Sequence, residues 1–180
     1  MRATVGTAPE QILHASQEKL VAALKAGGMV PELRAQRLQE IAARVRDELG
    51  GDLLGAMQGP VEKARKLLKK FPNIADPGAD RMLLFAGVAP VAAVPSNCPH
   101  VLVRIQLGLE RENYGVIYRE AQELLEADVM AGFDVRMRAY LLLKRHGQET
   151  CKRTKPKCEQ CPVSGACRYF AGHDRGGVRK

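Results

Sequence analysis

Residues 151–167 read CKRTKPKCEQCPVSGAC, four cysteines with gaps of six, two and five residues, and the chain has only one other cysteine, Cys98. No other feature constrains the fold as tightly, because four thiols within 17 residues must close on something. A zinc site usually draws on two well-separated CxxC knuckles, or on one knuckle and a histidine pair. Here a single CxxC, Cys158 and Cys161, is flanked by Cys151 and Cys167. That compact loop suits a cubane, whose four irons each take one thiolate at a corner. Pro156 and Pro162 stiffen the loop, and Gly165 permits close backbone approach to inorganic sulfur. A zinc-ribbon variant holding the same four cysteines and a pair of disulfides are the alternatives.

The chain has no apolar run near the roughly 20 residues of a membrane span. Its first residues, MRATVGTAPEQ, lack the apolar centre of a signal peptide. These features read as a soluble cytoplasmic protein with no membrane partner, in a compartment where clustered cysteines hold metal more often than they form disulfides. The net charge of +8 is uneven: residues 151–180 carry eight Lys/Arg against Glu159 and Asp174. A basic segment around a cysteine cluster points to a polyanion, nucleic acid first, with an unspecific solvated tail as the bland alternative.

The rest reads as helices. Thr7-Ala8-Pro9-Glu10 predicts a capping box with proline at the first helical position, and Ser16 opens a second helix that Gly27-Gly28 stops. PELRAQRLQEIAARVRDELGG places Leu33, Ile41, Val45 and Leu49 near one face with Leu38 beside them, and ends at Gly50-Gly51. DLLGAMQ is a short helix or turn, PVEKARKLLKKF a helix to Phe71, residues 72–77 a turn, and GADRMLLFAG a helix again. After the proline-punctuated VAPVAAVPSNCP come three helices, in HVLVRIQLGL, YGVIYREAQELLEADV and DVRMRAYLLLKRHG. No stretch alternates convincingly with period two, so the fold class is all-α. The expected organisation is a helical portion over 1–130, a last helix and cysteine loop over 131–170, and a flexible basic tail over 171–180.

The C-x6-C-x2-C-x5-C loop, preceded by LLLKRHGQETC, resembles the [4Fe-4S] loop of the endonuclease III family of DNA glycosylases, in which the last helix ends in His-Gly before the first cysteine. LLKKFPNIADPGADRMLLFAG lies where that family has its helix-hairpin-helix, here about residues 60–87, and the likeness runs from about residue 7 to 169. The resemblance implies a protein of base-excision repair that binds double-stranded DNA, nucleoid-associated in the cytoplasm if the source is bacterial. Lys152, Arg153, Lys155 and Lys157 would then present charge to the phosphate backbone, with His146 structural. Exposed cations on a rigid loop gain affinity by counterion release.

The departures from the family are specific. Its hairpin reads Leu-Pro-Gly-Val-Gly, against Phe71-Pro72-Asn73-Ile74-Ala75 here. The implied DNA-facing positions are therefore Asn73, which tolerates a left-handed backbone, Ala75, which tolerates it poorly, and Gly78, which compensates in part. The family's nucleophilic lysine falls on Pro77 and its catalytic aspartate on Pro95, so the expectation is impaired or absent catalysis. An active monofunctional glycosylase would need a relocated acid, with Asp76 and Asp80 the weak candidates and Asp134 more remote. Without catalysis, Asp76 and Asp80 would be turn and helix-start residues. A Cys98–His100 pair is the remaining nucleophilic arrangement, and a structural or redox iron–sulfur protein is the second alternative. Family members begin with further helices, so self-association or a partner covering an apolar face is also expected.

Overall fold

The computed structural model describes residues 1–174, and among them every regular element is helical. The chain divides into two compact units, Met1–Ile74 and a second that begins at Ala75.

In the first unit, α1 (Pro9–His14) and α2 (Gln17–Leu24) pack against the long α3 (Pro31–Leu49). The start of α1 differs from the expected capping box. Its N-cap is Ala8, and the Gln11 side chain accepts from the Thr7 and Ala8 amides at 3.2 Å each. Ser16 caps α2 as its hydroxyl chemistry predicts, accepting from the Lys19 amide. The buried face of α3 carries Ala35, Ala42 and Val45, whereas Leu33 is exposed. Small residues allow close helix approach, so this core of Ile12, Leu20, Ala35 and Ala42 sits on an alanine stripe beside Leu38. Gly50 ends α3 in the left-handed region, with the Gly51 amide donating to Val45 O at 2.8 Å. Then come α4 (Leu53–Ala56), capped by Asp52, and α5 (Val61–Leu68), which stops short of the expected Phe71.

The second unit opens with α6 (Asp76–Phe85), which starts two residues before the expected Gly78. It continues through α7 (His100–Leu102) directly into a π-helical segment, Val103–Leu107, and then α8 (Tyr114–Asp128), α9 (Phe133–Glu149) and, after the cysteine loop, α10 (Arg168–Asp174). VLVRI is thus helical, as its neighbours imply. The main core gathers Val94, Val103, Ile117, Tyr118, Ala121 and Leu125. A second cluster joins Leu84, Ala93 and Tyr140, with Phe85 edge-on to the Tyr140 ring. Gly108, at φ +70°, ends the π segment where a side chain would meet Arg168 backbone, so α10 can pack there. Residues 171–174, expected to begin a flexible tail, belong to α10, and 175–180 lie outside the described residues.

Candidate functional site

The four cysteines of the loop are brought together. Cys151, Cys158, Cys161 and Cys167 line one cavity with Arg104 and His146, and no carboxylate among the described residues lines it. Among the described residues no three of His, Cys, Asp or Glu converge to hold a single metal ion. The thiols surround a space instead of meeting at a point. Burial pushes the Cys151 thiol up, opposed by Arg104, and burial followed by the neighbouring thiols pushes Cys158 up. His146 Nε2 lies 3.7 Å from Cys161 Sγ, and its own carbonyl accepts from the Thr150 and Cys151 amides, so the end of α9 sets where the loop begins. Lys152, Arg153, Lys155 and Lys157 are all exposed between the first two cysteines, and Lys155 adopts φ +56°.

Sequence reasoning missed the residues that hold this loop from beneath. Arg104, in the π segment, is 2% exposed. Its guanidinium donates to Lys152 O at 2.8 Å, to Arg153 O at 2.9 Å and to Cys151 Sγ at 3.6 Å. It also pairs with Glu110 and lies 4.9 Å from the Tyr169 ring centroid. His100 Nε2 meets Cys151 O at 2.8 Å. One available signal was a lone arginine inside the apolar run VLVRIQL, since a buried charge survives only with partners. Gly147 is the other contributor. A Cβ there would lie 2.7 Å from Cys98 Cβ and against its sulfur, so glycine lets α9 press onto the Cys98–Val101 segment. The two halves of the possible Cys98–His100 pair serve different partners: the Cys98 thiol faces Asn97 Oδ1 and Lys144 O, while His100 bonds the loop.

The hairpin residues fall as follows. Asn73 is exposed at φ +61°, the left-handed conformation expected of it. Ala75 avoids that region at φ −103° and caps α6, and the Gly78 amide donates to Ala75 O at 2.9 Å. Asp76 stands in the first turn of α6, where a carboxylate suits the helix dipole. Asp80 is not a helix-start residue: it is fully buried, and its Oδ2 accepts from the Tyr118 hydroxyl at 2.9 Å and the Gln122 amide at 2.8 Å. Pro77 is partly exposed, and Pro95 is fully buried. Met29 is 89% exposed on a turn where Val30 is held at φ +50°. No helix among the described residues is long and apolar enough to cross a membrane.

No family model matches the chain. It is 25% identical over 169 residues to endonuclease III of Sulfolobus acidocaldarius, covering 93% of this chain and 70% of that one. To the thymine/uracil-DNA glycosylase of Methanothermobacter thermautotrophicus it is 27% identical over 162 residues, with 89% and 67% covered. Among solved structures, a thermostable thymine-DNA glycosylase superposes with a TM-score of 0.71 at 26% identity, covering 92% of this chain and 70% of that one. A non-covalent endonuclease III–DNA complex superposes with a TM-score of 0.68 at 19% identity, covering 94% and 72%. Over at least 89% of the chain, sequence relatives and solved structures point the same way: it is similar in sequence to endonuclease III and to a thymine/uracil-DNA glycosylase, and it shares the helical fold of the solved structures.

Proposed function

We propose that the chain acts on duplex DNA in base-excision repair as an endonuclease III-type glycosylase relative. In this reading its cysteine loop is closed by a [4Fe-4S] cluster and its glycosylase and lyase chemistry is impaired or lost. One observation carries the reading: four thiols line a single cavity while the cations between the first two of them face solvent. The donor set fits the group. Four thiolates on a cubane leave a net negative centre, and the cavity offers Arg104 and Lys157 with no carboxylate in its described lining. The cluster would cross-link the loop. The chain's own residues do the rest: Arg104 and His100 fix the backbone at 151–153, and that backbone aims Lys152 and Arg153 outward. Met29 belongs to the residue class that wedges between base steps, and its exposure suits that use.

The case for impaired chemistry rests on the prolines. Pro77 has no nucleophile and Pro95 no carboxylate, at the positions matched to the family's lysine and aspartate. A second reading, an active monofunctional glycosylase, narrows to Asp76, because Asp80 is enclosed and its Oδ2 already accepts two hydrogen bonds.

The test is single-turnover incubation of cluster-loaded protein with duplexes bearing abasic sites, oxidised pyrimidines, uracil or mismatches. Half of each sample is treated with alkali, and binding is followed in parallel. The expected result is binding without scission before alkali and, after alkali, none beyond the cleavage that the abasic duplex undergoes without protein. Scission that vanishes in Asp76→Asn would install the second reading in its place. Absence of salt-dependent duplex binding would sink both and leave a structural or redox iron–sulfur protein.

A further inference from the structure

We infer that Arg37 is a positioning residue for the hairpin turn, holding Asn73 in the left-handed conformation that a family-type glycine would adopt unaided; this rests on the DNA-binding reading above. Asn73 stands at φ +61° and is exposed at the tip of the turn after α5. Asparagine reaches this region more readily than other side-chain-bearing residues, yet it still prefers ordinary backbone. Phe71 is buried at the start of the turn and its carbonyl accepts from the Ile74 amide at 3.3 Å, but Asn73 itself is exposed, so a constraint on its own side chain bears directly on its backbone.

Arg37, on α3, supplies the constraint. With the Asn73 amide oriented oxygen-first, that oxygen accepts from Arg37 Nε at 3.1 Å and Nη1 at 2.8 Å. The opposite orientation would set an NH2 group against two N–H donors, so the pairing fixes the amide as well as the backbone. The planar guanidinium fork makes both bonds from one rigid group, which a lysine ammonium does not reproduce. The same helix steadies the approach to the turn, since Arg44 Nη1 donates to Lys70 O at 2.7 Å. Two arginines of α3 thus grip the segment from the end of α5 to the turn, and only Arg37 touches the residue with positive φ.

The test is a double-mutant cycle on duplex affinity, read by fluorescence anisotropy at fixed salt with the full-length, cluster-loaded chain. Arg37→Ala and Arg37→Lys are each expected to weaken binding about fivefold to tenfold, with thermal stability nearly unchanged. Asn73→Gly sets its own reference affinity, and in that background either Arg37 change is expected to cost less than twofold. An equal loss in the Asn73→Gly background would overturn the inference, because Arg37 would then act as a direct phosphate contact. Full affinity of Arg37→Ala would overturn it too. If the parent chain binds no duplex, the functional reading has failed instead. The Arg37 Nε–H resonance then tests the clamp alone: it should be protected from water exchange in the parent and exposed in Asn73→Gly, and equal exchange rates would refute it.

Discussion

Replacing Arg104 by Met keeps most of the stem volume and removes the guanidinium on which the cysteine loop rests. Two charge-assisted bonds, to Lys152 O and Arg153 O, are lost, along with the weaker contact to Cys151 Sγ. Hydrogen bonds from charged donors contribute roughly 1.5–3 kcal/mol each. Lys152 and Arg153 lie on an exposed loop, so water rehydrates part of what is lost, and the lower end applies. Glu110 has a 54% exposed side chain, so its ion pair adds at most about 1 kcal/mol after solvent screening. The Tyr169 contact adds about 0.5–1 kcal/mol. Against these losses stands the recovered desolvation of a guanidinium that is 2% exposed. The net cost is about 2–3 kcal/mol. For a chain of this size that lowers Tm by about 4–12 °C. The assay is calorimetry on cluster-loaded protein, paired with release of iron to a chelator followed by visible absorbance. Release is expected to accelerate together with the Tm loss. Arg104→Lys is expected to behave like Met, since one ammonium cannot serve three acceptors in a fork. A Tm within 1 °C of the parent (about 0.3 kcal/mol) with unchanged iron release would refute the idea that Arg104 carries the loop.

Gly147→Ala is expected to destabilise by about 1–3 kcal/mol through overpacking against Cys98, with partial relief in Gly147→Ala/Cys98→Gly; thermal melts of the two would show it. Changing Lys152, Lys155 and Lys157 to Ala is expected to reduce the slope of log affinity against log salt by up to about 2.7, and an unchanged slope would remove the loop from the interface. Tyr118→Phe leaves Asp80 Oδ2 with one of its two identified donors, Gln122, and should cost about 1–3 kcal/mol at neutral pH in denaturant titrations. Burial, then Asp80, raises the Tyr118 hydroxyl above its usual range. The stability this gives is present below about pH 10 and is lost as pH rises beyond it, because the unfolded chain ionises first. Tyr118→Phe should therefore flatten the alkaline stability profile by up to about 1.4 kcal/mol per pH unit.

Much of this molecule was legible because its signals are local. Cysteine spacing is written in one short segment, and the four thiols do share a cavity. Helix periodicity, the Ser16 cap and the Gly50 stop are decided within a few residues of themselves. Boundaries moved where local preference lost to backbone geometry. Asp76 and Pro77 open α6 because proline fits a first turn, which drew the helix start ahead of Gly78. The face of α3 was misjudged for a different reason. Leucines mark apolar area, whereas alanines mark where another helix comes close, and Ala35 and Ala42 decided which side turned inward.

What the sequence hid is long-range and polar. Arg104 and the backbone at 151–153 are nearly fifty residues apart, and Asp80 and Tyr118 are separated by 38. Periodicity has no term for such pairs. Arg104 nevertheless left a mark, a charged residue inside the apolar stretch VLVRIQL, whereas Asp80, beside Arg81 at the start of ADRMLLF, left none. A charge at either position must be expelled, which breaks the helix face, or be satisfied from another element. The chain takes the second course at both places. The consequence for function differs between them. Arg104 spends its donors on the loop that carries the cations, so its burial serves the surface above it. Asp80 spends its Oδ2 on two donors within the core, and an acid enclosed in that way has neither the access nor the spare lone pairs on that oxygen to meet an everted nucleoside. Asp80's burial and its bonds to Tyr118 and Gln122 tie α6 to α8. Under the reading of an active monofunctional glycosylase, the acid would have to reach solvent, which makes Asp76 the hairpin carboxylate to mutate.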